Sequence, residues 1–312
     1  MLLLQKTAGL LLISALAACA VQKNPYAATN RSYKQQVKAY AKSIQAIPPP
    51  TPGADSLLPG KYWVGTTNFN LRKPNYVVIH HTAQDSTAQT LRTFTLPRTQ
   101  VSAHYVIGRD GRVYHMLHDH LRAWHGGVAK WGNNTDINSS SIGIELDNNG
   151  KEPFAEPQVA SLLRLLAGLK KTHGIPAANF IGHSDIAPSR KNDPSALFPW
   201  QRLAAKGFGL WYDQDVLVRP AAADSTVAAL ARLAVPGRVR MDSTALDLQL
   251  ARLNNVLPPF SPQEALRIIG YDTRDLAAAV RAFKLHFVQR NVGAPLTEAD
   301  NRILYNLYKK YL

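Results

Sequence analysis

Two histidines and one aspartate stand at positions where a protein scaffold can hold metal ligands rigidly. His80 ends an apolar run typical of a buried strand, and His183 ends a second, shorter one. Asp193 follows His183 by ten residues. Two imidazoles and one carboxylate with an open fourth position are a ligand set of catalytic zinc sites. The spacing matches no compact motif such as His-Glu-x-x-His, so spacing alone does not assign the site.

The chain has ten histidines, and most of the others have simpler explanations. His81 is adjacent to His80 but points to the opposite face of a strand, which favours packing or a hydrogen bond behind the metal. His173 ends a predicted helix, where positive charge is favoured. Histidines in or beside a predicted hairpin are explained by packing or solvation: His104, His115, His118 and His120.

A central block, residues 61–213, alternates strand and helix signals around these candidates. Residues 76–80 form an apolar run expected of a strand buried on both faces. Residues 141–146 predict a second strand that places its apolar side chains on one face and Glu145 on the other. We therefore expect an α/β fold with a mixed central β-sheet flanked by helices.

Three further elements are predicted in this block. Residues 102–107 and 112–117 predict a hairpin, since Asp110-Gly111 between them favours a tight turn. Residues 157–173 predict a helix from an apolar stripe of period near 3.6, ended by Gly174 and blocked by Pro176. Residues 179–183 predict a short strand that leads into a polar loop.

The C-terminal part, residues 214–312, predicts a small all-α domain. Ser261-Pro262-Gln263-Glu264 is a capping box with proline at the first helical position. Apolar stripes over 276–287 and 303–311 predict two more helices.

The N-terminus predicts export and lipid anchoring. Residues 1–18 have the composition of a signal peptide, and Leu16-Ala17-Ala18-Cys19 resembles the lipobox of bacterial lipoproteins, in which the cysteine is acylated. The alternative, an uncleaved membrane anchor, is disfavoured because the run is shorter than the roughly 20 residues that span a bilayer. Cys19 is the only cysteine, which excludes disulfides and thiolate zinc clusters.

Residues 19–60 predict a stalk, helical at first and then rich in proline, that holds the central block away from a membrane. A net charge of +15 suggests an anionic partner or simply solubility. Export argues against nucleic acid and favours the carboxylates of the cell wall or anionic lipids. We expect an exported, membrane-anchored lipoprotein of the outer membrane or periplasm of a Gram-negative bacterium.

Five segments of the central block carry a resemblance to a known family. They are Val77-Val78-Ile79-His80-His81-Thr82-Ala83, Ser102-Ala103-His104-Tyr105, Ala123-Trp124-His125-Gly126-Gly127, Ser141-Ile142-Gly143-Ile144-Glu145-Leu146, and Gly182-His183-Ser184-Asp185-Ile186-Ala187-Pro188-Ser189-Arg190-Lys191-Asn192-Asp193-Pro194. In this order they resemble the type 2 N-acetylmuramoyl-L-alanine amidases, which share their fold with peptidoglycan recognition proteins. The resemblance extends to lipoprotein members with a helical C-terminal domain.

The resemblance implies roles for five residues. It places one catalytic Zn²⁺ on His80, His183 and Asp193, the general base on Glu145, and a cation that stabilises the oxyanion on Lys191. Taken singly, Glu145 is better explained as a solvent-facing strand residue and Lys191 as a loop cation like Arg190. Trp124 and His125 are predicted to line the cleft and contact substrate, with core packing as the alternative for Trp124.

The predicted function is zinc-dependent hydrolysis of the amide between N-acetylmuramic acid and L-alanine in peptidoglycan or muropeptides. A recognition protein that binds peptidoglycan without cutting it is the main alternative, and a zinc peptidase or deacetylase is the next. A serine hydrolase is disfavoured because the chain has no Gly-x-Ser-x-Gly elbow. The C-terminal helices loosely resemble peptidoglycan-binding modules, with a structural cap as the alternative.

Overall fold

The computed structural model describes residues 24–45, 68, 70–217 and 260–312. The chain divides into two units, residues 1–67 and 68–312. The predicted signal peptide 1–18, Cys19, the proline-rich part of the stalk (46–60) and the stretch 218–259 lie outside the described residues.

The described part of the first unit is one helix, α1 (Ala27–Gln45), and none of its residues is buried. The helix predicted in the first part of residues 19–60 is therefore present. Within the described residues, no helix combines the length and the apolar composition that crossing a membrane requires.

The second unit is built on a five-stranded sheet with the order β3-β2-β4-β1-β5. Strands β2, β4, β1 and β5 are parallel, and β3 pairs antiparallel with β2 at the edge. The strands are β1 (Tyr76–His81), β2 (Tyr105–Ile107), β3 (Val113–His115), β4 (Ser141–Leu146) and β5 (Phe180–Gly182). The predicted mixed sheet flanked by helices is confirmed.

Helices and short helical turns connect and cover these strands. They are α2 (Thr87–Thr95), α3 (Ile137–Ser140), α4 (Glu156–His173), α5 (His183–Ile186), α6 (Trp200–Ala204), α7 (Pro262–Ile269), α8 (Leu276–Phe283) and α9 (Glu298–Tyr311). Helix α4 ends as predicted, because Gly174 adopts a left-handed conformation (φ 67°) and its N–H bonds the carbonyl of Lys170.

Both faces of the sheet are buried, as the apolar runs predict. On one face, Ile79 and Ile144 pack with Leu162 and Leu166 of α4. On the other, Val78 packs in one core with residues of the C-terminal helices. Because side chains alternate along a strand, His80 and Glu145 point to this second face.

The C-terminal helices thus form a layer on the sheet. Ile269 of α7, Phe283 of α8 and Leu304 of α9 share a core with Val78. The predicted boundary between residues 213 and 214 stays a prediction.

Helix caps in this layer match the sequence only in part. Ser261 caps α7 by accepting the N–H of Glu264, but the Glu264 carboxylate pairs with Arg267 instead of completing the capping box. A complete capping box occurs at α9, between Thr297 and Asp300.

The predicted hairpin forms, but its strands are shorter than expected. The ladder ends at Tyr105 and His115, because the backbone N–H groups of both Met116 and Leu117 bond the carbonyl of His104. The backbone N–H of the same residue, His104, donates to the carbonyl of Gly143 in β4. The backbone at His104 is therefore shared between the hairpin and the central sheet.

Candidate metal centre

Three atoms that could serve as metal ligands converge at the carboxyl ends of the parallel strands. His80 Nδ1 lies 2.9 Å from His183 Nδ1 and 3.2 Å from Asp193 Oδ2, and the latter two atoms are 3.1 Å apart. Ligands around a tetrahedral metal with bonds of about 2.0 Å are separated by roughly 3.3 Å. The donor set and its spacing therefore fit one metal ion, and all three residues are buried.

Strand register explains why residues so far apart in sequence meet. His80 of β1 is the register partner of Glu145 of β4, and Ile79 is the partner of Gly182. His183, which follows Gly182, therefore lies beside His80. A backbone bond from Ser184 N–H to the Asp193 carbonyl, 2.8 Å, closes the intervening loop and returns Asp193 to the site.

His183 is oriented by a backbone carbonyl. Its Nε2–H donates to the oxygen of Gly126 at 3.2 Å, which leaves the Nδ1 lone pair facing the ligand site. Arg190 also donates to the Gly126 oxygen, at 2.6 Å, and to that of Val128 at 2.8 Å. Arg190 is thus a structural clamp on the loop that orients His183, and not the plain loop cation that the sequence suggested.

His80 is oriented by a chain of hydrogen bonds that runs behind it. Its Nε2–H donates to His125 Nδ1 at 3.0 Å, and His125 Nε2–H donates to Ser141 Oγ at 3.0 Å. The Ser141 hydroxyl in turn donates to the carbonyl of Ile137 at 2.6 Å. Every donor has an acceptor in this arrangement, and it again leaves the histidine Nδ1 free for a metal.

His125 lies behind His80, and its contact with substrate stays a prediction. It is only 8% exposed and packs over β4, where a side chain at Gly143 would come within 2.4 Å of its ring. The physical reason is the absence of a side chain at Gly143, which opens a space for the imidazole against the strand. Trp124, in contrast, is 52% exposed at the same loop, and its substrate contact stays a prediction.

Burial and hydrogen bonding set the charges of His80 and Asp193. It lowers the pKa of His80 to about 4, with the neighbouring His183 acting in the same direction, so His80 is a neutral ligand at physiological pH. Burial by itself would raise the pKa of Asp193, but hydrogen bonds with His183 and His80 hold it well below its usual range. The site thus presents a neutral imidazole at His80 and a carboxylate at Asp193.

Glu145 faces this site with an unused oxygen. Its Oε1 is 4.0 Å from His80 Nδ1, and its buried Oε2 has no hydrogen-bond partner among the described residues. Burial raises the pKa of Glu145 to about 8, the Asp193 carboxylate adds to this rise, and the charge of Lys191 opposes it. A carboxyl group with such a pKa beside a metal site can exchange a proton near neutral pH.

Lys191 and His81 lie beside the site in different ways. Lys191 is partly buried, and its charge acts on both Glu145 and His80. His81, on the opposite strand face, accepts the backbone N–H of Ser195 at its Nδ1 (3.2 Å) and so holds the chain just beyond Asp193. This agrees with the hydrogen-bonding role predicted for His81.

Sequence reasoning missed the residues that orient the ligands. Ser141, Gly143, Gly126 and Arg190 belong to the motif segments, but their residue types do not indicate a task. The available signal was a glycine between apolar residues in a strand, which often marks a close approach of another group.

Comparisons with known proteins bear on the same residues. Residues 70–196 match the family model described as N-acetylmuramoyl-L-alanine amidase. The chain is 32% identical over 255 residues to the N-acetylmuramoyl-L-alanine amidase AmiD of Escherichia coli K12, across 75% of this chain and 82% of AmiD. It is 38% identical over 104 residues to the 1,6-anhydro-N-acetylmuramyl-L-alanine amidase AmpD of Haemophilus influenzae, across 33% of this chain and 56% of AmpD.

Two solved structures are similar over most of the chain. AmpDH3 of Pseudomonas aeruginosa has a TM-score of 0.60 at 27% identity and covers 82% of this chain and 98% of its own. E. coli AmiD, in a complex with the substrate anhydro-N-acetylmuramic acid-L-Ala-D-γ-Glu-L-Lys, has a TM-score of 0.55 at 29% identity. That comparison covers 80% of this chain and 93% of the AmiD chain.

Proposed function

The chain belongs to the N-acetylmuramoyl-L-alanine amidase family, and from this premise we propose that it is a zinc hydrolase that cleaves the amide between N-acetylmuramic acid and L-alanine in muropeptides. The observation that carries the proposal is the convergence of His80, His183 and Asp193 beside Glu145, whose Oε2 has no hydrogen-bond partner in the described part of the chain. A zinc ion held by these three residues would supply Lewis acidity for the scissile carbonyl and for water.

Glu145 acts as the proton carrier in this proposal. Its carboxylate takes a proton from the attacking water and delivers it to the amide nitrogen as the C–N bond breaks. The products are the lactyl carboxylate of the sugar and a stem peptide with a free L-alanine amine. Burial keeps the pKa of Glu145 near 8, and a cation at the ligand site favours its ionised form, so the group can both accept and return the proton.

Lys191 stabilises the charge that develops on the substrate. As the amide carbon becomes tetrahedral, its oxygen gains negative charge, and the ammonium group of a partly buried lysine favours that state over the ground state. The effect of the Lys191 charge on Glu145 and His80 supports a position close to the reacting atoms.

We propose a muropeptide that contains anhydro-N-acetylmuramic acid as a substrate. The support comes from similarity to AmiD, whose solved complex contains such a substrate, and to enzymes named as 1,6-anhydro-N-acetylmuramyl-L-alanine amidases. The exposed ring of Trp124, at the loop that orients His183, offers an apolar surface for a sugar or the stem peptide.

Product analysis tests the proposal directly. Purified protein is incubated with an anhydro-muropeptide and, separately, with intact sacculi, and the products are identified by mass. Release of a stem peptide that begins with L-alanine is expected. Intact muropeptides in zinc-containing buffer would instead support a binding protein, and cleavage within the peptide or loss of an acetyl group would support a peptidase or deacetylase.

The role of Glu145 is tested by Glu145→Gln, with Glu156→Gln as the control. Glu145→Gln keeps the shape of the side chain but cannot accept a proton, so turnover should fall by about 10²- to 10⁴-fold while zinc stays bound. Glu156 is an exposed helix residue paired with Arg202, so its variant should keep full activity. Undiminished turnover in Glu145→Gln would remove Glu145 from the mechanism.

We also propose that the enzyme is exported and anchored through a lipid on Cys19, facing the cell wall. The support is the sequence around Cys19, which lies outside the described residues. In a bacterial host supplied with a labelled fatty acid, the protein should incorporate the label and fractionate with membranes. Cys19→Ala should lose both properties, and a labelled Cys19→Ala protein would contradict the proposal.

A further inference from the structure

A buried carboxylate, Asp185, connects the C-terminal helices to the segment that contains His183 and Asp193. Asp185 lies two residues after His183 and is fully buried. It accepts three hydrogen bonds, from Gly182 N–H at 2.7 Å, the Tyr271 hydroxyl at 2.8 Å and His286 Nδ1–H at 2.7 Å. Two of the three donors therefore come from the C-terminal layer.

We propose that the C-terminal helices position the ligand loop, residues 182–193, for metal binding, with Tyr271 and His286 as the positioning residues that act through Asp185. This inference rests on the proposed metal site and adds to it a task for residues 260–312. It differs from the wall-binding task that the sequence suggested for the same helices.

Asp185 controls the backbone at a ligand. Its Oδ2 binds the N–H of Gly182, the residue immediately before His183, and this bond fixes the first turn of α5. His183 is the first residue of that turn, so the direction of its side chain depends on the position of the carboxylate. The bond from Ser184 N–H to the Asp193 carbonyl then carries the same constraint to the third ligand.

Asp185 in turn depends on its two distant donors. A buried carboxylate is costly unless hydrogen bonds replace its lost hydration. Without Tyr271 and His286, only the Gly182 N–H would remain among the three donors, and the carboxylate would be driven toward water. If the carboxylate moved, the ligand loop would no longer hold His183 and Asp193 at the distances that a metal requires.

Both donors are held rigidly. The His286 ring stacks between Trp200 and Phe287, with centroid distances of 3.8 and 4.0 Å. The Tyr271 ring meets Trp131 edge to face at 5.1 Å. Ligand geometry is precise only when the supporting side chains are themselves fixed by packing.

A second contact holds the same loop farther along. Arg281 of α8, whose side chain is largely on the surface, donates to the carbonyl of Pro188 at 2.9 Å. The ligand loop is therefore held by the C-terminal layer at two points between His183 and Asp193.

The test compares two tyrosine variants of the full chain. Tyr271→Phe removes the hydrogen bond to Asp185, and Tyr105→Phe removes one of equal length, 2.8 Å, from β2 to Asp119, which lies beyond β3. Zinc affinity is measured by competition with a chromophoric chelator, and ligand geometry by the visible spectrum of the Co²⁺-substituted proteins. Tyr271→Phe should bind zinc about 10-fold more weakly and show an altered spectrum, whereas Tyr105→Phe should match the parent.

Two further substitutions keep the inference testable if Tyr271→Phe folds poorly. Arg281→Met alters an exposed side chain and should weaken zinc binding by a smaller factor without unfolding the protein. His286→Asn keeps an N–H donor near the Nδ1 position and should retain more affinity than His286→Leu. Higher zinc affinity in His286→Asn than in His286→Leu would show that the hydrogen bond to Asp185, and not only the packing of the ring, supports zinc binding.

The outcomes distinguish this inference from the proposed function. If the parent binds zinc and releases stem peptides but Tyr271→Phe and Arg281→Met bind zinc as the parent does, the positioning inference is overturned and the proposed function stands. If the parent binds no zinc, the proposed function fails and the inference fails with it.

Discussion

Replacing His125 by phenylalanine should weaken zinc binding without emptying the space that the ring fills. In the native chain, His125 Nδ1 accepts the Nε2–H of His80 at 3.0 Å, and its ring packs against β4 at Gly143. Phenylalanine keeps a ring of similar size but has no acceptor. His80 then has a buried N–H without a partner, or it moves its proton to Nδ1 and loses the lone pair that faces the metal.

Two independent magnitudes lead to the same expected effect. A buried donor left without an acceptor costs about 1–3 kcal/mol. Loss of the group that orients a metal-bound histidine weakens metal binding by about 10- to 100-fold, which corresponds to about 1.4–2.7 kcal/mol. We therefore expect the dissociation constant for zinc to rise by that factor in His125→Phe.

The assay is competition for zinc between each protein and a chromophoric chelator at pH 7.5. His173→Phe is the matched control, because His173 is also buried and also loses one hydrogen bond, to Asp119, on the hairpin side of the sheet. Both variants should unfold at a lower urea concentration than the parent, but only His125→Phe should bind zinc more weakly. Equal zinc affinity in the parent and His125→Phe would refute the orienting role of this hydrogen-bond chain.

Three other perturbations test separate parts of the site. Lys191→Met should lower kcat by about 10²- to 10³-fold with unchanged zinc affinity, measured by stem-peptide release and chelator competition; an unchanged kcat would exclude a role in stabilising the oxyanion. Gly143→Ala places a methyl group 2.4 Å from the His125 ring and should lower the free energy of unfolding, measured in urea, by about 1–3 kcal/mol. Gly168→Ala in α4 is the control: apart from the helix's own backbone, no atom of the described residues lies within 4 Å of the added methyl group, so stability should stay the same or rise. Burial lowers the pKa of His104 to about 4. Between pH 6.5 and 4, His104 is therefore protonated in the unfolded chain but mostly neutral in the folded chain. Between pH 6.5 and 4, the zinc-free parent should therefore lose up to about 3 kcal/mol of stability relative to His104→Asn; a constant difference in urea-unfolding free energy across that range would contradict the shift.

The sequence predicted the central strands well, because burial on both faces leaves a clear apolar pattern. The predicted strand at 76–80 is one residue shorter than the observed β1, and the predicted strand at 141–146 coincides with β4. The predicted limits of the hairpin strands were less accurate, because the His104 carbonyl accepts two N–H groups and the ladder ends there. Nothing in the local residue types indicates that competition.

The candidate metal centre was predictable only in part. His80, His183 and Asp193 have suitable side chains, but their separation in sequence gives no reason to join them. The parallel pairing of β1 with β4 and β5 supplies that reason, because it places the ends of three strands at one edge of the sheet. The motif resemblance pointed to the same residues without giving the geometry.

The tasks of the orienting residues show where sequence information ends. His125 stood beside Trp124 in a loop, and both were assigned to the cleft. The fold separates them, burying one behind His80 and exposing the other. Likewise, Asp185 lies in the ligand segment, but its donors Tyr271 and His286 are more than eighty residues away in the chain.

The sequence by itself determined the residue types available for chemistry and the strands and helices that carry them, because these depend on local composition and periodicity. The tertiary structure decided which side chains face each other, which nitrogen of each histidine is free, and which distant helix satisfies a buried carboxylate. These properties depend on contacts between residues far apart in the chain, and only the packing of the sheet and its two covering layers brings those residues within hydrogen-bond distance.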